Sequence, residues 1–252
     1  MSTDTTDEEH AGGAMTLIEH LAELRRRIII CALAVVAGAI VVFSLWAPII
    51  DFLQGPYADV TSSPENPDGQ QLIFTEPAEA FLVRLKVATY GGIALAMPVL
   101  LWQLWRFITP GLHRNEKRWA VPFVLVSLVL FAGGAVLAWV TLPRALDFLV
   151  NDITGGELQP LLSAGKYLSL VTLIILAFGA AFEFPVLLMF LLLARVVSTD
   201  TLRRTRRWAL VGIVTASAVI TPSQDPYTLL FMAVPLYIFY EAVIIIGRIL
   251  KR

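Results

Sequence analysis

The sequence predicts an all-α integral membrane protein with six membrane-spanning helices and both termini on the cytoplasmic side. Three observations carry this. First, the 252 residues are 57% hydrophobic and only 15% charged, where a soluble domain carries about 25% charged residues. Second, the apolar residues gather into six runs separated by polar segments. Third, 15 of the 19 Lys and Arg residues fall in alternate connections and at the two ends of this membrane region. The excess of Lys and Arg in cytoplasmic loops places those segments inside.

Residues 1–14 are polar and acidic, with Asp4, Asp7, Glu8 and Glu9, and read as a disordered cytoplasmic tail. They lack the basic start of a cleaved signal peptide. Residues 15–252 read as one membrane domain. Within Met15–Arg27, Thr16 and Glu19 have capping-box spacing, and Leu17, Leu21, Leu24 and Ile28 recur at helical spacing. Glu23 and Arg27 stand four apart and can pair on one helix face. Arg25, Arg26 and Arg27 then hold this end in the cytoplasm.

The first span is placed at residues 28–50, long enough for about 30 Å of hydrocarbon at about 1.5 Å per residue. Residues 51–77 hold Pro56, Pro64, Pro67 and Pro77 and no Lys or Arg, which predicts a largely irregular outer loop. The second span, 78–105, has Arg84 and Lys86 near its outer end, where long basic side chains snorkel to the interface. Pro98 is expected to kink it.

Residues 102–118 join the second and third spans. Pro110 and Gly111 turn the chain. Glu116 is the one acid among Arg106, Arg114, Lys117 and Arg118, beside Trp105, Phe107, Leu112 and Trp119. A carboxylate on a basic, partly apolar surface suits an incoming guanidinium. An ordinary connector in which Glu116 pairs with a neighbouring Arg fits the residues as well.

The third span, 119–143, carries Gly133 and Gly134, which permit close helix contact. The fourth, 167–194, places Glu183 within an apolar run. An acid at mid-membrane depth costs a few kcal/mol (about 2.5–3.5 on insertion scales for Asp, Lys and Arg), so Glu183 is expected to face protein or water. Pro185 has no N–H for the Ala181 carbonyl. A paired structural acid and a functional one both satisfy these facts. Arg195, Arg203, Arg204, Arg206 and Arg207 mark the next segment as cytoplasmic and near anionic lipid. Residues 208–221 give a fifth span that is short, roughly 21 Å as a helix, which thins the bilayer or sits buried. In the following TPSQDP turn, Asp225 is placed to cap the last span, 228–247, which contains Pro235 and Glu241.

Other classes find little support. Cys31 is the only cysteine, so no internal disulfide is possible. The net charge of −1 gives no bulk attraction for nucleic acid. No G-x-S-x-G, H-E-x-x-H or glycine-rich phosphate loop occurs. His10, His20 and His113 are far apart, so no metal or cofactor is implied. An enzyme is not expected, which leaves binding or transport.

Four stretches taken together resemble the TatC family: HLAELRRR in the first helix, F-x-x-P-G-L-x-x-x-E in the first inner loop, FEFP in the fourth span and TPSQDP before the last. TatC is the multispanning receptor subunit of the twin-arginine protein translocase in the cell membrane. The resemblance implies a concave, glove-shaped set of six helices with short helices five and six. It implies binding of the twin-arginine signal peptides of folded precursors and assembly with the single-span subunits TatA and TatB, driven by the proton gradient. Self-association in a larger complex is also expected. By the same resemblance Glu23 and Glu116 face the arginine pair, Arg25 orients Glu23, and Phe107 and Leu112 pack beside the site. Glu183 would lie in the membrane-level concavity and contact a partner helix, while Pro56 and Asp225 would shape the outer cap. TPSQDP is one residue longer than the TPPD of many members. The alternative from a different class is a proton-coupled small-solute carrier using Glu183.

Overall fold

The computed structural model describes residues 17–62, 72–74, 76–108, 120–148, 163–221 and 225–250. Among these residues the chain forms α1 (Leu17–Ser44), α2 (Trp46–Thr61), α3 (Glu79–Ile108), α4 (Ala120–Asp147), α5 (Ala164–Ala181), α6 (Phe184–Leu193), α7 (Thr199–Arg204), α8 (Arg206–Ile220) and α9 (Pro226–Ile249). Five stretches are long and apolar enough to cross a membrane: Leu21–Ser44, Glu79–Phe107, Val121–Asp147, Ala164–Leu193 and Pro226–Ile249. The helix at the place of the predicted fifth span, α8, has 15 residues, about 22 Å of rise.

α5 runs through the centre. Leu168, Val171, Ile174 and Phe178 are fully enclosed, against Val87 of α3, Ala138 and Leu142 of α4, and Ile244 of α9. The outward faces are also apolar. Leu33 and Ile40 of α1, Val129 and Val140 of α4, and Val219 of α8 are all exposed. Such a surface is unfavourable in water and suits lipid, where the backbone must satisfy its own hydrogen bonds, as helices do.

α1 lies mainly on α3, and small residues set the crossing. A Cβ on Gly92 would sit 2.5 Å from the Ala39 backbone nitrogen, and one on Gly38 would sit 2.7 Å from the Gly92 carbonyl oxygen. Without side chains the two backbones touch. At the Ser44 end of α1, Arg84 Nη2 donates to the Phe43 carbonyl at 2.8 Å, with the guanidinium 4.0 Å over the Phe43 ring. Arg84 thus turns inward to finish α1, where snorkelling alone was expected. Gly134 brings α4 onto α5, since its Cβ would lie 2.6 Å from the Phe178 carbonyl oxygen; Gly133 faces open space.

The structure corrects three expectations. The first span does not run to residue 50: α1 ends at Ser44, and Leu45 (φ −91°, ψ 31°) starts a second helix. That helix continues to Thr61 through a segment expected to be irregular. Pro56 does interrupt its ladder, but Leu53, Pro56 and Tyr57 are buried and the Leu53 carbonyl accepts from Tyr167 Oη at 2.8 Å. Phe52 stacks on Trp139 with centroids 3.8 Å apart. Burial of this face outweighs the proline. The fourth span is one apolar stretch, Ala164–Leu193, but its helix is interrupted at Phe182–Glu183, because Pro185 cannot supply the bond that would join α5 to α6. Apart from these, the arginine-rich connection after α6 is partly helical: Ser198 accepts from the Thr201 N–H and starts α7.

Asp225 caps α9 as its position predicted. It is 0% exposed and its Oδ1 accepts from the Thr228 N–H at 2.7 Å. Loss of such a cap costs about 1–2 kcal/mol. Asp225→Ala is therefore expected to lower the unfolding temperature of the purified protein in detergent, and Asp225→Asn to restore most of it. An unchanged transition for Asp225→Ala would refute the cap.

Candidate functional site

The arginine-rich end of α1 and the end of α3 that leads into residues 109–119 carry the densest polar geometry. Glu23 and Arg27 stand four positions apart on α1, so the two share a face, and the Arg27 guanidinium donates through Nη2 to Glu23 Oε1. Arg27 Nη1 lies 3.4 Å from both the carbonyl and the side-chain oxygen of Gln103 on α3. The register follows from the glycine crossing. α1 and α3 run antiparallel, and Arg27 and Gln103 each stand eleven residues from it (27 to 38, 92 to 103), roughly 16 Å at helical rise. The Glu23 and Arg27 side chains are 22% and 12% exposed. Glu23 Oε2 and Arg27 Nε are buried and have no hydrogen-bond partner among the described residues.

Next to this pair, Trp105 is buried and ties three helices together. Its ring lies 4.5 Å from Phe123 of α4 and 5.4 Å, edge on, from Phe190 of α6. Leu101, Val124 and Val186 complete the cluster. Phe107 is half-buried at the end of α3, and Arg106 and Arg25 are exposed. The guanidinium on Glu23 is that of Arg27, and Arg25 forms no ion pair among the described residues. Glu116 and Leu112 lie outside the described residues.

Glu183 occupies the break between α5 and α6, with φ −75° and ψ −18°. Ser127 of α4 neighbours its carboxyl. Its Oε1 is buried without a partner among the described residues. Alongside, α4, α6 and α9 enclose an apolar groove of about 610 Å³, with Val126, Val129, Pro185, Met189, Phe239 and Val243 on its walls. A second ion pair joins the arginine-rich ends of α8 and α9: Arg206 Nη2 donates to Glu241 Oε2 at 2.6 Å, and Tyr237 Oη to Glu241 Oε1 at 3.3 Å. Among the described residues no group of three His, Cys, Asp or Glu side chains is placed to hold a metal ion.

Sequence reasoning paired Glu23 with Arg27 but passed over Gln103, the single polar residue in the run LLWQLW. A lone amide near the end of an apolar helix is the signal that was available. Pro56 is buried in α2 and Asp225 at the start of α9, in the connections at the opposite end of the molecule from Glu23.

Residues 19–235 match the family model described as Sec-independent protein translocase protein (TatC). A relative of that name from Frankia casuarinae is 44% identical over 244 residues, which cover 94% of this chain and 67% of the relative. One from Deinococcus radiodurans is 35% identical over 237 residues, covering 93% and 86%. A crystal structure described as the twin-arginine translocase receptor TatC in DDM superposes with a TM-score of 0.77 at 37% identity. It covers 91% of this chain and 99% of that one.

Proposed function

The chain belongs to the TatC family of Sec-independent protein translocase proteins, and on that premise we propose that it is the signal receptor of a twin-arginine translocase. It binds the paired arginines of a folded precursor's signal peptide at its arginine-rich end. The observation that supports this most directly is Glu23, a half-buried carboxylate at the α1–α3 seam with one oxygen unpartnered among the described residues. Such a group is already desolvated and accepts two parallel hydrogen bonds from a guanidinium. Glu116 supplies the second carboxylate, Phe107 and Leu112 the apolar floor, and Arg25 a neighbouring positive charge.

In the proposed arrangement α8 crosses as a short fifth span, giving six spans in a single glove-shaped membrane domain. Both termini lie in the cytoplasm, and residues 1–14 form a free tail. The location is the cytoplasmic membrane. The single-span subunits TatA and TatB dock at the edge formed by α8 and α9, copies of the chain associate in a larger complex, and Pro56 and Asp225 brace the outer cap. Family membership leaves the solute-carrier alternative without support.

The test is binding of a labelled twin-arginine signal peptide to the purified protein in nanodiscs, beside its Lys-Lys counterpart. Preference for the arginine peptide is the expected result. Equal binding of the two peptides would reduce the interaction to apolar capture and refute the receptor reading. Glu183, with one oxygen unpartnered among the described residues, is assigned to a polar group on a partner's membrane helix. Glu183→Ala is expected to weaken crosslinking to the single-span subunits more than it weakens peptide binding, and the reverse pattern would overturn that assignment.

A further inference from the structure

We propose that Arg27 is a resident occupant of the Glu23 carboxylate, an internal guanidinium that an incoming arginine must displace. This rests on the receptor reading above and adds a threshold to it. Glu23 is not an open acceptor: Arg27 Nη2 already donates to Oε1. Yet the contact is one-pointed. Arg27 Nε makes no hydrogen bond and Glu23 Oε2 receives none among the described residues, so the fork that a guanidinium offers a carboxylate is only half used. Gln103 explains why. Its carbonyl and its side-chain oxygen both lie 3.4 Å from Nη1 and draw that side of the guanidinium toward α3.

The consequence is an exchange. An arginine that approaches in the plane of the carboxylate engages both oxygens and replaces one bond by two. Arg27 then keeps its contacts to Gln103 and stays beside the same carboxylate, so its charge is not stranded as it is when Glu23 is removed. An ammonium brings a single-point contact and gains nothing over the resident. The seat does not drift, because the Gly38–Gly92 crossing fixes α1 against α3. Affinity for any cationic segment is thereby lowered by the fraction of molecules in which Arg27 holds the site.

The experiment compares peptide binding to the wild-type protein and to Arg27→Met, with Arg26→Met as the control for lost positive charge, since Arg26 is exposed one residue away. If Arg27 holds Glu23 in nine molecules of ten, Arg27→Met tightens the twin-arginine peptide by about tenfold, while Arg26→Met leaves it at the wild-type value. Unchanged or weaker binding by folded Arg27→Met overturns the proposal, as does equal tightening by Arg26→Met. Should Arg27→Met not purify as folded protein, Gln103→Ala decides the matter. It removes the amide that draws Arg27 toward α3 and receives it on displacement, so Arg27 turns its full fork on Glu23 and binding is expected to weaken about threefold; no change, or tighter binding, rejects the proposal. Failure of the receptor reading is distinct, because the wild-type protein would then bind arginine and lysine peptides alike.

Discussion

Gly92→Leu is expected to leave almost no folded protein in detergent extracts. A Cβ at that position would meet three atoms of Ala39 at 2.5, 2.8 and 2.9 Å, and two of them are backbone. Backbone in a helix cannot swing aside as a side chain does. Inserting extra carbon into a packed core ordinarily costs about 1–3 kcal/mol, occasionally more, and a clash with main-chain atoms belongs at the upper end. Here the cost spreads. α1 has few other supports, with α3 its principal neighbour, so parting the pair at its middle also strains Arg84 on Phe43 at one end and Arg27 on Gln103 at the other. Gly133→Leu is the matched control, since a Cβ there meets nothing within 4 Å. Size-exclusion profiles and thermal unfolding of the two variants report the difference. Wild-type behaviour of Gly92→Leu would mean that the seam is looser than its geometry.

What the residues revealed in advance, and what they did not, divides along physical lines. Long apolar runs located α3, α4 and α9 because burial in lipid is the same demand at every position along a helix. Spacing alone paired Glu23 with Arg27 and placed Asp225 at the start of α9. The failures come where one strong local rule met a stronger tertiary one. Pro56 argued against a helix over residues 51–61, yet the buried face of Leu53 and Tyr57 carries α2 past it. Pro185 acts the other way: its missing N–H was expected to leave the Ala181 carbonyl unbonded within one helix, and it interrupts that helix between α5 and α6. Of the candidate site, the carboxylate was legible and its setting was not. Gln103 lies 76 residues from Arg27, and only the packing of α1 on α3 brings the two together.

Glu23→Ala and Glu116→Ala are each expected to abolish measurable binding of the twin-arginine peptide while leaving the protein folded. Truncating one member of a desolvated, hydrogen-bonded charge pair costs about 2–5 kcal/mol, and at about 1.4 kcal/mol per factor of ten that is a loss of thirtyfold or more. The two variants differ in what they leave behind. Removing Glu23 strands Arg27 at 12% exposure with only Gln103 for company, so part of its effect appears as lost stability, and Glu23→Gln, which keeps shape and removes charge, separates the two contributions. If the two carboxylates act on the same arginine pair, the double variant binds scarcely worse than either single one, because each has already emptied the shared site. Strict additivity would place the two acids on separate ligand groups. Normal binding in both single variants would remove the acids from recognition altogether, and with them the reason for Arg27 to sit where it does.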